Sequence, residues 1–282
     1  MGATLLGWLL LTVVLVAAVE LGYRLHSGAL NRSRGRGEPD FGESGSGSGY
    51  VLSAALALLG LLIAFVFSMA SDRYVERRQL VLAEANAILT AVLRYQMMPE
   101  PHRRELLAST TQYVKPRLAF YDFGADMERV GEAEALQAKI WRQVGAAVRT
   151  PEGAQFSMGV MMPTNEMFNL ERSRRAALEE RVPPRALHVL IIFAVVTAAI
   201  MGHGLAHGRR RHLVATCGLY VLVAMAISLI VDLDNPRLGS VRVPQAPMED
   251  VARAVEAMAA GHVAPTPKPP HPSPLPEGRG LG

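Results

Sequence analysis

The sequence predicts an all-α integral membrane protein in which four transmembrane helices carry a helical water-side domain between the second and third. Half of the residues are hydrophobic, and most of them fall in four separate runs. Each run is close to the roughly twenty residues that a helix needs to cross the hydrocarbon of a bilayer. Prolines bound the intervening helical segments, as expected where helices end. This pattern favours a membrane protein over a soluble one.

The first run predicts a retained transmembrane helix over residues 1–25. It is uncharged until Glu20 and Arg24, whereas a cleaved signal peptide carries basic residues before its apolar core. Glu20 is interpreted as a carboxylate that reaches the membrane interface, the alternative being a buried functional acid. Residues 26–49 contain SRGRGEPDFGESGSGSG, a composition typical of a flexible loop.

Residues 50–98 form the stretch around which the chain is organised. YVLSAALALLGLLIAFVFSMAS has no ionisable side chain and predicts the second transmembrane helix over residues 50–71. The next residues bring charges without a proline or glycine, so the water boundary is expected near Ser71. Apolar residues then recur at Val81, Ala85, Ile88 and Val92, a spacing that favours one continuous helix with a packed stripe.

Residues 72–183 predict the helical water-side domain. Prolines end its first helix, and prolines precede the third transmembrane run. Beyond the long second helix, apolar periodicity indicates helices over residues 100–121, 125–149 and 164–182. The Met-rich segment FSMGVMMP before the last of these is interpreted as a turn. Its methionines could form a binding surface, but adaptable core filling is the favoured interpretation.

The remaining runs predict transmembrane helices over residues 186–206 and 213–231, followed by a post-membrane segment over residues 232–260. Residues 261–282 are rich in proline and predict a disordered tail. Between the last two spans stand His203, His207 and His212. The first two have the four-residue spacing of a helical metal site, but glycines interrupt the helix and no carboxylate or cysteine is near. An arginine-anchored hairpin is preferred, and no metal or cofactor is expected.

Several function classes are disfavoured by what the sequence lacks. It has no paired Cys/His ligand set, no glycine-rich phosphate loop and no recognisable nucleophile, so no enzyme is predicted. The net charge of +4 comes mostly from arginines at the ends of apolar runs, which is typical of membrane anchors and not of a nucleic-acid surface. Cys217 is the single cysteine, which excludes an intrachain disulfide.

Orientation follows only partly from charge. Arginines near span ends are more numerous on the side of the large domain, which predicts that this domain is cytoplasmic and the membrane a bacterial inner membrane. The uncharged N-terminus followed by Arg24 argues for the opposite orientation. The lipid bilayer is the expected partner in either case.

Two motifs resemble those of bestrophins. The membrane-boundary motif Asp72, Arg73, Glu76 and Arg78 resembles the boundary that follows the second helix in that family. The order of spans and domain matches too, and residues 50–250 resemble the bestrophin-like domain family of bacterial and plant membrane proteins. The post-membrane segment DLDNPRLGS resembles the segment after the last bestrophin span and supplies Asp232, Asp234, Asn235, Pro236 and Gly239.

The resemblance implies a pentameric anion channel in which the second helices form an apolar neck. Aligned on Arg73, the neck positions are Ala57, Leu61 and Phe65. Two departures stand out: Ala57 is too small to close a ring, and Val66 and Phe67 replace polar residues. Because Arg237 and Arg242 stand where bestrophins have an acidic run, the resemblance does not extend to calcium control.

Other interpretations remain open on the same residues. Leu61 and Phe65 could pack against lipid or other helices, and Ala57, Gly60 and Ala64 could mark close helix contact within one copy. The resemblance makes an oligomeric channel for small anions the leading function. The alternative is a non-conducting membrane scaffold or signalling module whose helical domain binds a cytoplasmic partner.

Overall fold

The computed structural model describes residues 2–34, 45–123, 127–206, 213–235 and 241–261. Within these ranges all regular structure is helical and there is no strand, which confirms the all-α prediction. The helices are α1 (Gly2–Arg34), α2 (Gly45–Tyr95), α3 (His102–Phe123), α4 (Met127–Ala147), α5 (Pro151–Ala154), α6 (Ser157–Glu179), α7 (Pro184–Leu205), α8 (Leu213–Asp234) and α9 (Ala246–Ala259).

Helices α1 and α2 extend into the segment that composition assigned to a flexible loop. Helix α1 continues to Arg34 and α2 begins at Gly45, because residues 26–34 contain no proline and continue the backbone ladder. Several predicted features lie outside the described residues. They are the rest of the predicted loop, Pro236 and Gly239, His207 and His212, and the proline-rich tail. Helix α2 is continuous from Gly45 to Tyr95, as the sequence indicated.

The Met-rich segment is helical, so its interpretation as a turn is wrong. Helix α6 already begins at Ser157 and includes Pro163. The short α5 precedes it, where the Thr150 hydroxyl accepts a hydrogen bond from the Gly153 amide at 3.0 Å and caps the helix. Met158 and Met162, one turn apart, are 69% and 63% exposed. Core filling is therefore wrong for these two side chains.

The chain divides into two compact units. The first unit comprises Met1–Ala83 and Leu170–Pro244, and the second comprises Glu84–Asn169 and Gln245–Gly282. Helix α2 contributes residues to both. In the first unit α1 packs against α7 and α8, around a core that includes Leu15, Leu59, Val66, Leu190, Ala194, Tyr220, Ala224 and Ile230.

Two glycines bring α1 and α7 into backbone contact. A Cβ at Gly22 would overlap the Ala199 carbonyl oxygen, and one at Gly202 would overlap the Val19 carbonyl oxygen. Only glycine leaves room for so close an approach, as in other helix pairs packed through small residues. The crossing therefore fixes where these two helices meet.

In the second unit α3 packs against α4 and α9. Phe168 lies edge-on to both Tyr113 and Trp141, with ring centroids 6.3 Å apart in each pair, an arrangement that aromatic rings favour. Helix α9 presents an apolar side made of Met248, Val251, Ala254, Val255 and Met258, all of them buried. The post-membrane segment thus ends in a helix that belongs to this unit.

Candidate pore-lining site

The apolar stretch of α2 buries one narrow face. Leu59 and Val66 are 2% exposed and Ala70 is fully buried, and these three positions follow a spacing of seven and four residues that keeps them on one side of a helix. Only 11% of this stretch is buried, against 33% in α8. Most of its apolar surface therefore faces outward from the first unit.

The predicted neck residues lie on that outward surface. Leu61 and Phe65 are 60% and 66% exposed, and Ala57 is exposed as well. Leu61 follows the buried Leu59 by two residues, which turns it by roughly 200° around the helix. The structure thus places the three residues together on one face, and their part in a pore stays a prediction.

The boundary motif begins with an exposed ion-pair network. Arg73 Nη1 lies 3.0 Å from Glu76 Oε2 on the same helix and 2.6 Å from Glu180 Oε2 beyond the end of α6. These side chains are about half exposed, so the pairs contribute little to stability individually. Asp72 and Arg78 are exposed on either side of them.

Arg77 is the residue of this motif that sequence reasoning missed. It is 2% exposed, and its guanidinium donates to the Ala177 and Glu180 carbonyl oxygens at 3.0 and 2.6 Å and to the Leu233 carbonyl oxygen at 3.2 Å. These carbonyls belong to the ends of α6 and α8, where carbonyls lack helical partners and carry partial negative charge. One side chain therefore caps two helices.

A signal for the burial of Arg77 does exist in the sequence. Arg77 follows Ala70 by seven residues and precedes Val81 by four, so it continues the buried stripe of α2. Its position among other charges led to its interpretation as one more boundary charge. The helical register identified its environment better than the local composition did.

The two acidic residues after the fourth span bind backbone amides. The Asp234 carboxylate accepts a hydrogen bond from the Val182 amide at 2.7 Å, and the Asp232 carboxylate accepts one from the Val241 amide at 3.0 Å. Both side chains are buried, whereas Asn235 donates from its side chain to the Val231 carbonyl oxygen at 2.9 Å. The segment is thus tied to the chain that precedes α7 and to the chain that follows α8.

Among the residues that the structure describes, no group of three or more His, Cys, Asp and Glu side chains is arranged to hold a metal ion. What the described arrangement offers chemically is an apolar outward face on α2, followed along the helix by charges and by the arginine cap.

Four segments of the described chain are long and apolar enough to cross a membrane. They lie in α1, α2, α7 and α8, as the four hydrophobic runs predicted. By length and composition these helices form the membrane-spanning part of the protein.

Comparison with solved structures identifies the fold. A variant of the bacterial bestrophin homologue from Klebsiella pneumoniae aligns with a TM-score of 0.64 at 14% identity, covering 87% of this chain and 98% of the homologue. Another variant of that homologue gives 0.64 at 15% identity over 91% and 98% of the two chains. A further structure described as a membrane protein gives 0.62 at 13% identity over 92% and 99%.

Comparison at the level of sequence gives the family. Curated proteins give no match. The sequence model of the Bestrophin-like domain matches residues 30–248, which includes the second span, the boundary motif and the segment after the fourth span. The chain is therefore an integral membrane protein with the bestrophin fold, and it belongs to the Bestrophin-like domain family.

Proposed function

We propose that this protein forms an oligomeric channel for small anions, in which α2 of each copy contributes to an apolar neck. The observation that carries the proposal is the exposure of Leu61 and Phe65 on the face of α2 opposite the buried Leu59 and Val66. A ring of such side chains around a shared axis excludes water when it is narrow, which is how hydrophobic constrictions gate. Five copies are proposed from the family resemblance.

The neck residues contribute unequally. Ala57 is too small to close a ring, so the narrowest part is assigned to Leu61 and Phe65. Val66 is buried in the first unit and therefore does not line the pore. The gate is accordingly about one helical turn long, since Leu61 and Phe65 stand four residues apart.

Phe65 and Phe67 provide a matched test. Phe67 is 41% exposed and lies about 200° around the helix from Phe65, so both phenylalanines are apolar and accessible but face different ways. Phe65→Ala is expected to raise chloride flux into proteoliposomes by widening the neck, while Phe67→Ala leaves it near the wild-type value. Flux equal to that of empty vesicles for the wild type and for Phe65→Ala would overturn the channel proposal.

Charge near the neck bears on selectivity. Asp72 follows Leu61 by eleven residues, about three turns, and so lies on nearly the same face. A ring of carboxylates at one mouth opposes anions and attracts cations. Asp72→Asn is expected to raise the permeability of chloride relative to sodium, measured from reversal potentials in planar bilayers. A wild-type protein that conducts sodium in preference to chloride would show that cations, and not anions, are the conducted species.

Assembly and orientation complete the proposal. The mass of the protein in nanodiscs is expected to correspond to five copies, and a monomer would leave α2 without a ring to form.

The second unit is proposed to be cytoplasmic in a bacterial inner membrane. A cysteine at the exposed Glu166, in a Cys217→Ser background, should then resist an impermeant maleimide in intact spheroplasts. Labelling in intact spheroplasts would instead place the second unit outside the cytoplasm.

A scaffold is the second candidate, and the exposed methionines favour it. Met158 and Met162 form an adjacent pair on α6, and flexible methionines suit adaptable binding surfaces. A scaffold predicts no flux and a partner that photocrosslinks at Met158 but not at the exposed Glu134 of α4. Flux sensitive to Phe65→Ala without such a crosslink would favour the channel.

A further inference from the structure

Two histidines from distant parts of the sequence meet in the first unit. The His26 and His203 rings have centroids 4.0 Å apart and an interplanar angle of 64°. His26 lies in the last third of α1, and His203 lies near the end of α7. His203 is exposed, whereas His26 is half-buried and its Nε2 atom is buried, so an ion would reach the pair from the side of His203.

The backbones that carry these rings are held in contact. Gly22 stands one turn before His26, and Gly202 immediately precedes His203. Both glycines abut the opposite helix so closely that a methyl group would overlap a carbonyl oxygen. The two imidazoles are therefore presented from a fixed crossing and move mainly by rotating their own side-chain bonds.

We propose that His26 and His203 form a two-histidine binding site for a divalent transition-metal ion, with water completing the coordination. Imidazole nitrogens bind copper, nickel and zinc, at bond lengths of about 2.0–2.1 Å for zinc. At such bond lengths, the centroids of two imidazoles lie closer together when their nitrogen–metal bonds meet at a right angle than when they meet at the tetrahedral angle. The 4.0 Å spacing is shorter than in either case and nearer to the right-angled one, which is typical of Cu²⁺ and Ni²⁺, so the rings would move slightly apart to admit the ion.

The proposal goes beyond conduction and does not depend on it. A bound ion would join the last third of α1 to the end of α7. Because the crossing already places both rings, little ordering is needed on binding, which favours affinity. The site is distinct from the sequence pattern His203 and His207, since its second ligand comes from another helix.

The experiment measures Cu²⁺ and Ni²⁺ binding to the full-length protein in detergent, purified without a histidine tag. The electron paramagnetic resonance spectrum of the Cu²⁺ complex is expected to show coupling to two imidazole nitrogens. His26→Ala and His203→Ala should each reduce this to one. Each should also weaken Cu²⁺ binding by more than the roughly tenfold that loss of even an outer-shell partner costs.

His188→Ala is the matched control, because His188 is an exposed histidine near the opposite end of α7. It should keep the wild-type spectrum and affinity. A His26→Ala variant that retains both properties would overturn the proposal, as would loss of binding in His207→Ala or His212→Ala with His26→Ala unchanged. His203 is exposed, so His203→Ala should fold normally by circular dichroism and keeps the test decisive if His26→Ala does not.

Discussion

Buried charged side chains in the two units bind partners of different kinds. In the first unit the buried Arg77 and Asp234 bind backbone groups, namely carbonyls at the ends of α6 and α8 and the amide of Val182. In the second unit the buried Arg117 binds the carboxylate of Glu84, with nitrogen to oxygen distances of 2.7 and 3.3 Å. Arg77 and Asp234 thus hold the main chain, whereas Arg117 and Glu84 hold each other.

The kind of partner decides whether a buried charged side chain can be replaced together with the group that it binds. A pair of side chains can be exchanged together for apolar residues of similar volume, because both partners are changed at once. A side chain that binds backbone carbonyls has partners that no substitution can remove, so its loss leaves them without that donor. Arg77 and Asp234 should therefore tolerate fewer compensating changes than the pair of Arg117 and Glu84.

The largest expected effect is that of Arg117→Ala. Glu84 is fully buried and Arg117 is 1% exposed, so removing one partner leaves a charge in a site of low polarity. The free energy of unfolding should fall by about 3–5 kcal/mol, as for other broken buried pairs. Denaturant unfolding in detergent, followed by circular dichroism, measures the change.

The paired control for this prediction is Glu84→Met with Arg117→Met. Replacing both charges by apolar residues should restore most of the stability lost in Arg117→Ala. A double variant that is as unstable as Arg117→Ala would contradict the view that the two side chains chiefly compensate each other.

Arg77→Ala comes next. Its loss removes charge-assisted hydrogen bonds to carbonyls at two helix ends. Because water can enter the space left by the side chain, the free energy of unfolding should fall by about 1.5–3 kcal/mol, the range for one such bond. Arg77→Lys should recover only part of the loss, because an ammonium lacks the planar fork of donors. Unfolding measured as above gives the difference, and full rescue by lysine would argue against the two-helix cap.

Gly202→Ala tests the backbone contact of the first unit. Its Cβ would overlap the Val19 carbonyl oxygen, so α1 and α7 must separate, at a cost of about 1–3 kcal/mol. Gly204 is the control, since a Cβ there meets nothing within 4 Å. Gly204→Ala should change thermal stability little or raise it, because alanine favours helix. Equal effects of the two substitutions would remove the argument for a tight crossing.

Tyr95→Phe is expected to have the smallest effect. Thr164 donates its hydroxyl proton to the Val160 carbonyl oxygen at 2.7 Å, so Tyr95 must be the donor in its 2.7 Å bond to Thr164. Removing that donor leaves the threonine bonded to Val160 and should lower the free energy of unfolding by about 0.5–1.5 kcal/mol. Thr164→Val completes a double-mutant cycle, in which strictly additive effects would contradict a direct bond.

The boundary motif and the candidate neck residues could be named from sequence because the resemblance runs along one helix. The resemblance assigned Ala57, Leu61 and Phe65 to the neck, and their four-residue spacing puts them on a common face, which is exposed in the first unit. Their part in a neck stays a prediction. The prediction of a turn at the Met-rich segment was wrong, because this segment, Pro163 included, lies in the first part of α6. A proline near the start of a helix removes few backbone bonds.

By itself the sequence determined the four spans, the helical domain and the family motifs, since hydrophobicity, proline positions and helical period are local properties of the chain. Only the tertiary structure decided that Arg77 is buried against carbonyls 100 and 156 residues away, and that His26 meets His203. Such contacts depend on which helices cross and at which residues. Close approach at Gly22 and Gly202 and the capping of helix ends set those crossings, and neither can be deduced from the composition of a single helix.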